Sequence, residues 1–230
     1  MLFNIIFIDE EKVAHRSFKR NFLDKNKEKF TGSYTVPLPN LDDMILAIFE
    51  KNPDAILTDF SLNDKKGDLP TPYSIGYNGG DLAEEVRRRR KNFPVFIATS
   101  LGDDAARDGY DVKLIHEKYG SFTDGTTSSS NSSADIQHLT FADKVFYEIT
   151  SYKQFLDQCS NEFDQLIYKR SSESLSLKEE ERLIELDGIL EASIDQKSKL
   201  PEDLKIPSNI ARLEKLVSLA EQILADKSRS

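Results

Sequence analysis

Two short apolar runs, Leu2 to Ile8 and Ala55 to Leu57, each stop on acid, the first at Asp9-Glu10-Glu11 and the second at Asp59. Each is too short for a helix and long enough for a buried strand, and Asn52-Pro53 supplies a turn ahead of the second. Pro94-Val95-Phe96-Ile97-Ala98, ending on Thr99-Ser100, predicts a further strand, and Ser33-Tyr34-Thr35-Val36 is a candidate strand stopped by Pro37 and Pro39. Helical periods lie between them. Val13, Ala14, Phe18 and Phe22 predict an amphipathic helix over about Glu11 to Leu23. Leu41, Met44, Ile45, Ile48 and Phe49 predict a second behind an N-cap at Asn40, with Asp42 and Asp43 in its first turn, and a third runs from about Gly80 to Lys91. The order βαβαβαβ implies an α/β protein with a parallel sheet and right-handed crossovers.

The remainder is less regular. Leu62 to Asp81 carries Gly67, Pro70, Pro72, Gly76, Gly79 and Gly80, too many breakers for a regular element, and it leaves from the carboxyl end of the Asp59 strand. Asp103 to Arg107 and Val112 to Tyr119 read as helical candidates, and Thr123 to Ser133 is a low-complexity Ser/Thr/Gly loop. Lys144 to Tyr147 reads as a fifth strand leading to Glu148, followed by a helix capped by Ser151 and carrying Phe155, Leu156, Phe163, Leu166 and Ile167. Two more amphipathic patterns, Lys178 to Ser193 and Ser208 to Asp226, are separated by Pro201 and Pro207 and predict a C-terminal helical hairpin. The domain plan is an α/β domain over 1–170 with insertions at about 63–79 and 107–137, and a helical extension over 171–230.

Apolar residues make up 38% and charged residues 31% of the 230, as in a globular rather than a disordered chain. A net charge of −9 argues against nucleic acid as the main partner. The single Cys159 excludes an intramolecular disulfide and suits a reducing compartment. No run approaches a membrane span and no signal peptide is legible, so the expected location is cytoplasmic, with neither membrane nor direct DNA binding. Asn131-Ser132-Ser133 is a glycosylation sequon without the secretory context that would make it one in practice.

If the two acid-ended strands are parallel neighbours, Asp9, Glu10 and Asp59 converge on the carboxyl edge of the sheet, where open α/β sheets bind ligands. Such a cluster repels itself unless a hard cation is present, and Mg²⁺ is the natural candidate. His15, His116 and His138 share no metal-ligand spacing with one another or with Cys159. Arg87 to Lys91 reads as a solvated helix end whose cations complement the dipole rather than as a nucleic-acid patch.

Over residues 1–170 these stretches together resemble the receiver domain of response regulators. Ile5-Ile6-Phe7-Ile8-Asp9-Glu10-Glu11 is similar to that family's acidic pair, Asp54-Ala55-Ile56-Leu57-Thr58-Asp59 to its acceptor strand and Pro94-Val95-Phe96-Ile97-Ala98-Thr99 to its fourth strand. The resemblance implies a flavodoxin-like, doubly wound, five-stranded parallel sheet of order 2-1-3-4-5. It also implies phosphate acceptance on Asp59 and Mg²⁺ held by Asp9, Glu10, Asp59 and the Ser61 carbonyl. Thr99 would act as the phosphoryl-contacting switch hydroxyl, and a histidine kinase or phosphotransfer protein would act upstream. In that pattern a Lys follows strand five. Aligning Phe141-Ala142-Asp143-Lys144-Val145-Phe146-Tyr147-Glu148-Ile149 with it puts Glu148 in the lysine position, whereas a register with His138 to Phe141 as the strand puts Lys144 there.

The resulting expectation is a stand-alone, atypical receiver-like protein that signals through protein contacts and is not an enzyme. A phosphorylation-independent pseudo-receiver scaffold is the alternative that Glu148 favours. A metal-dependent phosphohydrolase is disfavoured because position 61 is Ser, leaving no general acid two residues after Asp59. The mildly acidic helical tail is either a packing or homodimer element or a partner-specific effector.

Overall fold

In a computed structural model of the chain, residues 2–62, 75–99, 115–117, 140–195 and 217 are described, Thr99 and 115–117 by their backbone only. They form two compact units, 1–154 and 155–230, whose boundary lies inside one long helix. The first unit holds strands β1 (Phe3–Ile8), β2 (Phe30–Thr35), β3 (Ala55–Thr58) and β4 (Val95–Thr99), all parallel, in the order β2-β1-β3-β4. A three-residue strand β5 (Ile115–Glu117) extends the sheet beside β4, pairing Ile97 with Ile115 and Thr99 with Glu117.

The sheet is apolar on both faces, as a parallel sheet must be. Ile6, Ile8 and Ile56 point to one side, where α2 (Leu41–Phe49) and α3 (Gly79–Arg89) bury Met44, Ile45, Ile48, Leu82 and Val86. Ile5, Phe7, Ala55 and Leu57 point to the other, against α1 (Lys12–Ser17) and the start of α4 (Phe141–Ser172). Asn40 caps α2 by accepting from Asp43 N at 3.0 Å, a cap contributing about 1 kcal/mol.

After Ser17 the first helix widens into a π-helical turn, Phe18–Leu23. That turn brings Phe18 and Phe22 onto one line, and the rings stack in a row from Phe7 (4.8 Å to Phe18) through Phe22 (5.4 Å) to Phe30 (5.2 Å). The aromatic row accounts for a distortion that the periodicity of the sequence reads as plain helix.

The expected fifth strand at Lys144–Tyr147 is helix, and Ser151 lies inside that helix rather than capping it. Phe141, Ala142, Val145 and Ile149 are buried at helical spacing, and the sheet face they cover has no other lid among the described residues beyond α1 and its π turn. Packing thus overrides the strand propensity of Val145-Phe146-Tyr147. The alternative strand at His138–Phe141 is likewise excluded at its end, because Phe141 opens the helix. The actual β5 falls within Val112–Tyr119, a stretch the sequence suggested as helix.

The second unit begins with the tail of α4, which pairs with α5 (Leu177–Asp195). Arg182 reaches Glu162 through two hydrogen bonds, 2.8 and 2.6 Å, and Lys169 reaches Glu179 at 2.7 Å, so the two helices run antiparallel. The hydrogen bond from Lys169, followed by those from Ser176, pulls the Glu179 carboxyl down to about 2. Among the described residues, the end of α4 and α5 form an antiparallel pair. The expected helix at Ser208–Asp226 lies outside the described residues apart from Val217, which is helical and exposed. No helix among the described residues is long and apolar enough to cross a membrane.

Thr140 and Asp143 cap the start of α4 reciprocally, and Asp143 also accepts from Lys29 at 2.8 Å. The Lys29 hydrogen bond, then the Thr140 hydroxyl, hold the Asp143 carboxyl below its ordinary value. Its folded pKa is depressed, so its contribution is present above the ordinary aspartate range and is lost as pH falls through the folded value. Asp143→Ala is expected to lower stability by about 1 kcal/mol at neutral pH. Urea titrations should show that difference shrinking below about pH 4.

Candidate functional site

The register of β1 with β3 builds the site. Ile8 lies opposite Thr58, and Asp59 N donates to the Ile8 carbonyl at 2.9 Å, so the residues that follow the two strands emerge side by side. Asp9, Glu10 and Asp59 each present a carboxylate oxygen, all within 4.8 Å of one another. Asp9 is fully buried and Glu10 and Asp59 are half-buried.

Backbone contacts fix the cluster. Asp9 Oδ1 accepts from Glu11 N at 2.8 Å, and the Asp9 carbonyl accepts from His15 Nε2 at 2.6 Å. His15 is itself clamped, stacked on Tyr34 at 4.4 Å and edge-on to Phe7 at 6.1 Å, so this histidine positions the acidic turn. No sequence signal marked that role, because it depends on a ring stack with a neighbouring strand.

Behind Asp59 the chain returns through the N-terminus of α3. Gly79 N donates to the Phe60 carbonyl at 2.8 Å, and Asn78 forms a capping box with Asp81. A Cβ at Gly79 would collide with the Asp59 carbonyl oxygen, so only glycine lets the helix approach this closely.

Three carboxylates at this spacing repel one another by on the order of 3 kcal/mol per pair at an effective dielectric of about 20. The donor set is oxygen only, as hard divalent cations prefer. Oxygens sharing one Mg²⁺ at about 2.1 Å would stand about 3.0 Å apart when adjacent and about 4.2 Å when opposite, so side-chain rotation would have to draw these three, now within 4.8 Å, closer together. The residues present therefore fit Mg²⁺.

The other expected site residues are placed as follows. Ser61 lies two residues beyond Asp59 and is half-buried. Thr99 ends β4, its backbone paired with Glu117. Glu148 is exposed on α4, between the inward-facing Val145 and Ile149, and follows no strand. Its assignment to the lysine position is corrected: the strand that was to carry it does not exist there. The residue that follows β5 is Lys118, outside the described residues. The signal that could have found it is the short apolar Leu114-Ile115 two residues ahead of Glu117-Lys118, with Gly120 as a stop.

No protein-family model matches the chain, and no curated protein matches it. Among solved structures it is similar to the anti-anti-sigma factor PhyR from Bartonella quintana, at 10% identity and a TM-score of 0.42 over 70% of this chain and 52% of that one. The chain thus spans about half the length of that protein.

Gly79→Ala is expected to cost about 1–3 kcal/mol and to shift the amide resonances of Asp59 and Phe60. Gly76→Ala, where an added Cβ meets nothing within 4 Å, is the control and should cost less than half as much in the same thermal melts.

Proposed function

We propose that the chain is a receiver-like signalling protein that accepts a phosphoryl group on the Asp59 carboxylate and acts through protein contacts. The observation that carries this reading is the convergence of Asp9, Glu10 and Asp59 at the carboxyl ends of adjacent parallel strands. Asp9, Glu10 and Asp59, with the Ser61 carbonyl, would hold Mg²⁺, which when bound offsets phosphoryl charge and orients the incoming group.

In the reaction an Asp59 oxygen forms a bond to phosphorus as the bond from phosphorus to the donor atom breaks, and the donor leaves with that electron pair. The fixed carboxylate supplies the nucleophile in position rather than by intrinsic reactivity. Thr99, at the end of β4, is the proposed hydroxyl donor to a phosphoryl oxygen. Lys118, the residue after β5, is the proposed cation in the place first given to Glu148. The pseudo-receiver alternative rested on Glu148 and loses that ground. Ser at position 61 favours signalling over turnover, and a histidine kinase or phosphotransfer protein is the proposed donor.

The wild-type chain should bind Mg²⁺ at millimolar concentration, read by calorimetry or by the amide shifts of Asp9, Glu10 and Asp59. Asp59→Asn should weaken it about tenfold or more. Unchanged affinity in that variant would remove the metal site.

With acetyl phosphate and Mg²⁺, intact-mass analysis should show a single phosphoryl adduct on wild type and none on Asp59→Asn. Lys118→Ala should lower the yield and Glu148→Lys should leave it unchanged. Equal labelling of Asp59→Asn would overturn the acceptor assignment, and a gain in Glu148→Lys would return Glu148 to the site.

A further inference from the structure

We propose that the solvent face of α1 and of the turns after it is a docking surface for an acidic protein segment. Lys12, Arg16, Lys19 and Arg20 recur at i, i+4, i+7 and i+8, one stripe along the helix, and Lys25 and Lys27 continue it through the short 3₁₀ turn Asp24–Asn26. All six are exposed, and among the described residues none makes an ion pair. Elsewhere in the same chain Lys29, Arg88, Arg89, Lys153, Lys169 and Arg182 each hold a carboxylate.

The stripe does not serve the helix. Like charges at i, i+4 oppose helix formation, and Lys12 stands at the first position of α1, the end where the dipole disfavours a cation. In a chain with 40 acids against 31 Lys and Arg, ion-pair partners were available by composition and are not used here.

The charge pattern selects the partner. Exposed Asp24 and Glu28 interrupt the stripe, and the Asp9–Glu10–Asp59 cluster with Glu11 stands at its head. Duplex nucleic acid presents a charge about every 1.7 Å of its axis and would meet those carboxylates as well as the cations. Stable binding to a membrane takes an apolar anchor besides basic charge, and the apolar face of this segment, Ala14, Phe18 and Phe22, is buried in the core. A polypeptide with discrete carboxylates spaced a helical turn apart matches the cations and avoids the interruptions. The proposal is independent of chemistry at Asp59.

The test uses the full chain at low ionic strength with three probes: a short poly-L-glutamate, a DNA duplex of arbitrary sequence and phosphatidylserine vesicles. Poly-L-glutamate should shift amide resonances across Lys12–Lys27. Replacing Lys12, Arg16, Lys19 and Arg20 by Gln together should weaken its binding about tenfold. Replacing the exposed Lys51, Lys91, Lys144 and Lys178 by Gln removes the same charge elsewhere and should change affinity by less than about twofold. Thermal melts check that both variants fold; should the fourfold stripe variant fail to, the Lys12/Arg16 and Lys19/Arg20 pairs are tested separately against two-residue controls. Equal losses in stripe and control variants, tighter binding of DNA or vesicles than of poly-L-glutamate, or no binding of poly-L-glutamate would each overturn the proposal.

Discussion

Everything in the first unit depends on the in-register pairing of β1 with β3. Four residue pairs, from Ile5–Ala55 to Ile8–Thr58, fix which side chains face α2 and α3 and which face α1 and α4. A slip of one residue would reverse both faces at once, placing each strand's apolar set against the wrong layer. The same pairing ends both strands at the same height, so acids that are fifty residues apart in sequence meet at one edge. Fold and site are here one constraint: the core could not be kept while the carboxylates moved apart.

The amino-terminal edge of that pair is secured as well. Asp54 accepts from Asn4 N at 2.7 Å and from Lys153 at 2.5 Å, and Lys153 also lies over the Phe3 ring at 5.4 Å. Helix α4 is thereby anchored at a point three turns beyond its capped start, on the strand ends opposite the acidic cluster. An ion pair of this kind, with a backbone donor completing it, positions a helix along a sheet more than it stabilises the whole.

The sequence made legible whatever was encoded locally. Strands β1, β3 and β4 are short, predominantly apolar runs, and α2 announces itself through Asn40, two acids and a clean helical stripe; each is where its residues indicated. Asp9, Glu10 and Asp59 were legible because strand ends are legible and parallel neighbours bring them together. What was not legible depends on distant partners. Val145-Phe146-Tyr147 has the residues of a strand and becomes helix because Val145 joins Phe141, Ala142 and Ile149 in covering a sheet face built by residues 3–57. The true β5 is only three residues long, too short for any periodicity to mark it.

That late-arriving cover has a consequence for how the chain is made. The face formed by Phe3, Ile5, Phe7, Ala55 and Leu57 is complete as a strand surface once β3 has been synthesised, yet part of its lid, Phe141 to Ile149, follows more than eighty residues later. At ribosomal rates of about 5–20 residues per second, a nascent chain would carry a partly uncovered aromatic surface for several seconds. The α2/α3 side gathers its buried residues by Ile97, with only Tyr152 packing on later, and can close first. Synthesis therefore imposes a sequence of layers on a sheet whose finished structure has none, and a chain interrupted before residue 141 would have one closed face and one still open to association.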